Sequence, residues 1–414
     1  MTPHTFTLIF VAALLLSTGL RLWLDLRHLR HVTAHRDQVP ADFFGRIDLV
    51  DHRKAADYTA AKVRLGFIEI LIDTVVLLLF TLGGVLAVVD GSLRGWLGTG
   101  HVQGLALFAA AGLIGFFVGL PTSLYRSFVI EERFGFNKLT WKLWLTDLAK
   151  GAVLTVAIGG PLLYAVLWLM DAMGRQWWLY VWLLWLGTNL LILFLYPTVI
   201  APLFNKFTPL EDASLKQRIE ALLTRCGFAS SGLFVMDGSK RSAHGNAYFT
   251  GFGRAKRIVF FDTLLEKLAP QEIEAVLAHE LGHFRHKHVV KRIALMGVMS
   301  LAFLWLLGQL IDQPWFYQGL GVGAGSTAMG LMLFSMVLPV FLFPLAPLTS
   351  ALSRQHEYEA DAYAAKQTAA ADLIAALVKL YRDNAATLTP DPLHSLFHDS
   401  HPPASQRIAR LHGA

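Results

Sequence analysis

The chain has 414 residues, 54% of them hydrophobic and 16% charged, with a net charge of +6. That much apolar matter exceeds what a soluble domain of this length needs to fill its core, so a membrane protein with the lipid bilayer as its solvent is expected. The single cysteine, Cys226, excludes a disulfide framework, a cysteine-rich zinc knuckle and a CxxC redox pair, and the scattered basic residues argue against a nucleic-acid partner.

The first apolar run, 6–24, has Arg21, Arg27 and Arg30 at its end or behind it, whereas a cleavable signal peptide carries its basic residues in front. It reads as a retained transmembrane helix with its N-terminus outside. Further stretches long enough to cross ~30 Å of hydrocarbon follow at 66–89, 102–120, 152–170, 178–200, 293–311 and 326–345, which makes seven spans. The intervening segments alternate in charge. One carries Arg27, Arg30, Arg36, Arg46, Arg53, Lys54, Lys62 and Arg64, and another Arg126, Arg133, Lys138 and Lys142. By contrast, 90–101 has only Arg94, the turn after the fourth span only Arg175, and 312–325 no Lys or Arg. The positive-inside rule puts the basic segments and the C-terminus in the cytoplasm.

The expected division is a five-span membrane domain over 1–200, a cytoplasmic catalytic segment over 201–292, two spans over 293–349 and a second cytoplasmic segment over 350–414. The two hydrophilic segments share one side and are expected to fold together. The first reads as a helix over 213–226, strands at Leu233–Met236, 248–252 and 258–261 forming a small β-meander, and a helix over 270–288 opened by Pro270 and Glu272. The Gly-rich stretch 319–325 joins two spans and reads as a flexible connector, not a phosphate loop.

The predicted 270–288 helix carries His279-Glu280-Leu281-Gly282-His283. Residues four apart share a helix face, so both imidazoles can reach one metal while Glu280 addresses a water molecule on it. A catalytic zinc needs a third protein ligand, and Glu357 and Asp361, again four apart, follow the last span on the same side. One carboxylate can ligate while the other fixes the tautomer of a ligating histidine. His401, before Pro402 and Pro403, fits either a hydrogen-bond donor to a developing oxyanion or a solvated turn, and Asn246 either the start of a strand that pairs with extended substrate or a turn residue. His286 and His288 read as interfacial side chains, and His244 stays outside the metal set. Glu69 and Asp73 read as lining a polar chamber or sitting among headgroups.

The segments HELGH, SRQHEYEADAYA, GSKRSAHGNAYFTGFG, YPTVIAPLFNKFTPL and EERFGFNKLT, with the HPP near the end, together resemble the CAAX prenyl protease 1 family of zinc endopeptidases, in order over residues 131–407. The resemblance implies a mainly α, polytopic membrane protein. Seven transmembrane helices would enclose a chamber capped by a cytoplasmic zincin-like domain. It makes His279, His283 and Glu357 the ligands of one Zn2+ per chain and Glu280 the general base. Asp361 becomes the carboxylate behind a ligand, and Asn246, His401 and Arg407 residues near the substrate and oxyanion. The implied reaction is hydrolysis of a peptide or protein substrate after a prenylated cysteine, releasing the C-terminal tripeptide. Gln406 and the Gln355-His356 pair depart from the family pattern and are expected to alter packing or substrate contacts. The compact loops fit a bacterial inner membrane and a hydrophobic peptide substrate. Two other readings compete. A membrane quality-control metalloprotease would be shorter with fewer spans, and a metal-binding transporter or scaffold would place its ligands mid-span with internal symmetry.

Overall fold

The computed structural model describes residues 1–250, 257–323 and 325–413. Long helices dominate, because in hydrocarbon a backbone has no polar partner but itself. Among the described residues, six helical stretches are long and apolar enough to cross a membrane: Pro3–Ala34, His101–Glu131, Trp141–Ala172, Gly174–Phe204, His288–Leu310 and Thr327–Gln367. Leu49–Phe80 and Val85–Leu97, bent by 51°, make a seventh if taken as one span. The span predicted at 66–89 is thus broken in its middle. Thr81 Oγ1 donates to the Leu77 carbonyl at 2.6 Å, and Gly84 at φ +74° lets the chain turn before the helix restarts. The last span continues past residue 345 through a tight turn at Phe343–Leu345 into Ala346–Gln367, so Glu357 rides on a rod that rises out of the bundle.

Most side chains along the spans point outward. Leu15, Val156 and Val298 are 67%, 73% and 66% exposed, a surface that water would not tolerate and hydrocarbon does. Buried side chains gather in two large clusters. One joins Phe10, Leu14, Phe80, Leu107, Leu167, Leu307, Phe316 and Leu333 at one end of the bundle. Its polar ties are His101 to Asp171 at 2.8 Å, Thr327 to Asp171 at 2.6 Å and Gln103 to Asp90 at 2.7 Å. The other joins Leu222, Phe260, Leu277, Leu281, Ala364, Ile374 and Ile408, and so unites the hydrophilic segments on both sides of the last two spans.

Both basic segments lie at this second end. Phe43 and Ile47 belong to its cluster, Arg27 pairs with Asp391 at 3.0 Å, and Lys138 N donates to the Arg241 carbonyl at 3.1 Å. Basic segments and catalytic layer therefore share one side of the spans, and the sparsely charged turns share the other. Within the bundle, Glu69 pairs with Arg126 of a neighbouring helix.

The sheet has four strands: β1 (Phe207–Pro209), β2 (Leu233–Met236), β3 (Ala247–Thr250) and β4 (Arg257–Phe261). Their order is β1-β2-β4-β3, with β2 and β4 parallel and the other pairs antiparallel. This corrects the expected meander, in which each strand would pair with the next. Ile258, Val259 and Phe260 are all buried, and such an unbroken apolar run belongs between two strands rather than at an edge. β3 takes the edge instead, and residues 251 and 252 of the predicted 248–252 strand lie outside the described residues.

Candidate active site

The helix Pro270–Arg285 opens as its sequence dictates: proline occupies the first turn, and Ala269 N donates to Glu272 Oε2 at 2.7 Å. Glu272 also pairs with Lys379 at 2.7 Å, which ties the helix start to Ala370–Asp383. The helix ends at Arg285, short of the predicted residue 288, because Lys287 adopts φ +55° and the chain restarts as His288–Leu310. Its buried face, Ala278, Leu281 and Gly282, meets Ala346–Gln367. A Cβ on Gly282 would lie 2.8 Å from Ala360 Cα and 3.0 Å from its carbonyl oxygen, so the two backbones touch there.

This crossing brings His279, His283 and Glu357 together. His279 Nε2 and His283 Nε2 are 3.3 Å apart, and the Glu357 carboxylate faces both, its Oε2 3.4 Å from His279 Nε2 and its Oε1 3.4 Å from His283 Nε2. Such spacings exceed an ordinary hydrogen bond, but a tetrahedron with centre-to-corner distances of ~2.0–2.1 Å has edges of about 3.3–3.4 Å. Glu357 Oε2 is buried and has no hydrogen-bond partner, a costly arrangement that a cation would relieve. Burial alone would push the His279 imidazole down, but Asp361 and Glu357 outweigh it and raise it to about 9, the mark of a negative potential suited to a divalent ion. The donor set and its geometry thus fit a metal of the zinc class.

Asp361, one turn beyond Glu357, reaches the rear of this group. Its Oδ1 accepts from His279 Nδ1 at 2.8 Å, and Arg407 grips it with two bonds, Nε to Oδ2 at 2.8 Å and Nη2 to Oδ1 at 2.6 Å. Both Asp361 and Arg407 are buried, so Arg407 acts on its neighbour's carboxylate more than on the open cleft. His401 stands on the opposite, solvent side. Its side chain is 60% exposed, with Nε2 3.3 Å from Glu357 Oε1 and Nδ1 2.9 Å from Ser400 Oγ.

A cleft of about 380 Å3 opens in front, lined by Asn246, His279, Glu280, Glu357, His401 and Arg407, with Leu373, Leu377 and Tyr381 forming an apolar wall. Burial pushes the Glu280 carboxyl above the usual range, against the pull of the two imidazoles. Asn246 is exposed at the cleft edge; its carbonyl accepts from Phe261 N at 3.0 Å and its Oδ1 from Ala247 N at 2.8 Å, so it sits where β3 begins. A larger cavity of about 880 Å3, beside Asp171, Arg175 and Asp312, opens at the far end of the bundle, away from this chemistry.

The eight residues singled out by sequence thus meet in one place: seven line or back the cleft around His279, and His283 closes the donor triangle. The histidine misread by sequence is His288. Expected as an interfacial side chain, it is 2% exposed and packs on His283, because the turn at Lys287 folds it back. Sequence reasoning also passed over Tyr381, Leu373 and Leu377; the amphipathic pattern of Ala370–Asp383 announced a packed face, not a cleft wall. His244 takes no part in the donor group. It stacks on Phe136 at 4.3 Å between centroids and lies 3.2 Å from Asn384 Oδ1, pinning a basic loop to the catalytic layer.

Comparison with known proteins agrees with this arrangement. Residues 28–206 match the CAAX prenyl protease N-terminal family, described as five membrane helices, and residues 209–414 match peptidase family M48. The chain is 40% identical to CAAX prenyl protease 1 of Saccharomyces cerevisiae over 75% of its own length and 72% of that protein's. It is 33% identical to the human CAAX prenyl protease 1 homolog over 97% of this chain and 95% of that one. The crystal structure of S. mikatae Ste24p superposes with a TM-score of 0.92 at 34% identity, covering 98% of this chain and 99% of that one. A metal-ready donor triangle on crossed helices, apolar spans beneath it and this likeness along nearly the whole length have one explanation: the chain belongs to the CAAX prenyl protease 1 family within peptidase family M48, and is a multi-pass membrane metallopeptidase.

Proposed function

We propose that His279, His283 and Glu357 hold one Zn2+, that Glu280 is the general base, and that the enzyme cuts prenylated peptides on the cytoplasmic side of its membrane. The carrying observation is the convergence of two imidazole nitrogens and the Glu357 carboxylate at spacings of 3.3–3.4 Å, with Glu280 beside them in the cleft. A zinc ion bound there supplies a Lewis acid that polarises the scissile carbonyl and brings the pKa of water towards ~7. Glu280 takes the proton of the attacking water and delivers it to the leaving amine. Asp361, gripped by Arg407, holds His279 with its Nε2 turned to the metal. His401, exposed at the rim, donates to the developing oxyanion, and Asn246 receives the substrate backbone where β3 begins. The cytoplasmic assignment rests on the basic segments that share this end of the bundle.

The substrate class follows the names of the relatives and the apolar wall of Leu373, Leu377 and Tyr381. The test uses purified full-length protein with a farnesylated CAAX peptide and its unprenylated twin. The prenylated peptide is cleaved faster, and Glu280→Gln lowers turnover by about 10²- to 10⁴-fold while one zinc remains bound. Parent-rate cleavage by Glu280→Gln would remove the base assignment, and equal cleavage of both peptides would remove the prenyl requirement.

A further inference from the structure

His279 has a carboxylate behind it, but His283 does not. Its Nδ1 lies 2.9 Å from Nδ1 of His288, and His288 Nε2 lies 2.9 Å from Glu359 Oε2. One end of this chain of contacts sets the direction of every proton along it. An ionised carboxylate only accepts, so His288 donates from Nε2; neutral His288 then offers a lone pair at Nδ1, and His283 must donate from its own Nδ1. The remaining lone pair of His283 is left on Nε2, the atom that faces His279 and Glu357. We propose that His288, backed by Glu359, is a positioning residue that locks His283 in its metal-ligating tautomer, the counterpart of Asp361 for His279.

The surroundings are built for this task. Lys287 takes a left-handed φ of +55°, unfavourable for a residue with a Cβ, and thereby folds His288 back against the end of the HExxH helix. His288 is 2% exposed and stacks on His356 with centroids 4.0 Å apart, while Gln355 Nε2 donates to Glu359 Oε1 at 3.1 Å and steadies the carboxylate. A second metal ion shared by His286, His288 and Glu359 is the rival account of the same cluster. Geometry disfavours it. The His286 side chain is exposed, and its Nδ1 lies 3.9 Å from the Glu359 oxygen that His288 Nε2 meets at 2.9 Å, so the three donors are unevenly spaced about any one centre. His288 stands at hydrogen-bond length from Glu359, and the Lys291 ammonium, 3.9 Å from that carboxylate, already supplies a positive charge.

The inference rests on His283 being a metal ligand, and the experiment separates the two claims. Zinc affinity of the purified full-length protein is measured by chelator competition for the parent, His283→Ala, His288→Ala, His288→Gln and Glu359→Ala, alongside the thermal unfolding of each metal-free protein. His288→Ala binds zinc about 10- to 100-fold more weakly, as loss of a ligand's hydrogen-bond partner typically does. His288→Gln, whose amide both accepts and donates, keeps most of the parent affinity, and Glu359→Ala shows a smaller loss in the same direction. The visible spectrum of the cobalt(II)-substituted protein changes with His288→Ala and not with His288→Gln. Parent affinity in His288→Ala, or an equal loss in His288→Gln, overturns the relay. Retention of zinc by His283→Ala overturns the ligand assignment itself. If His288→Ala fails to fold, the glutamine and Glu359 variants still decide the question.

Discussion

Glycines let helices touch in two regions of this molecule, and what they touch differs. In the catalytic layer, a Cβ on Gly282 would strike the backbone of Ala360, and the helices that meet there carry His279 and His283 on one side and Glu357 on the other. In the packed end of the bundle, a Cβ on Gly104 would lie 2.8 Å from Ala328 Cβ, which moves only with its helix, and 2.8 Å from Leu167 Cδ1, the end of a flexible side chain. A side-chain tip can swing aside, whereas a helix backbone moves only by taking its whole face with it. The crossing at Gly282 therefore fixes how the helices carrying the donor atoms meet, whereas the close contact at Gly104 carries no donor atom.

Substitutions in the two regions should break or sharpen this contrast. The largest stability loss is expected for Leu222→Ala, fully buried in the catalytic layer, at about 2–5 kcal/mol in thermal or denaturant unfolding. Gly282→Ala comes next: overpacking costs about 1–3 kcal/mol and falls on the helix crossing, so zinc affinity and kcat/KM should drop together. Parent-like zinc binding in Gly282→Ala would show that the crossing yields more than its contacts imply. Gly104→Ala should cost stability in the same ~1–3 kcal/mol range, with zinc affinity unchanged. Leu191→Ala, 55% exposed on a span, should change stability by less than about 0.5 kcal/mol, because the side chain leaves one hydrocarbon environment for another. A large loss there would mean that Leu191 faces a protein neighbour.

Much of the site was legible because its pieces are local. A spacing of four puts His279 and His283 on one helix face, and the same spacing puts Glu357 and Asp361 on another, whatever the rest of the chain does. His288 was illegible for the opposite reason. Its burial depends on a left-handed turn at Lys287, a residue type that gives no sign of adopting it. The order of the strands was likewise hidden: the apolar run of β4 marks a strand, but only its neighbours decide that it lies between β2 and β3.

By itself, the sequence determined the long apolar runs, the side on which basic segments gather, and two short i,i+4 pairs with metal-binding chemistry. These are consequences of bilayer thickness, charge and helix period, which act within some twenty residues. Tertiary structure alone decided that Glu357 meets the two imidazoles, that Arg407 grips Asp361, and that His288 stands behind His283. The first of these joins residues from opposite sides of the last two spans, the others join residues brought together on one side, and the close approach at Gly282 and the shared core of the catalytic layer hold them there.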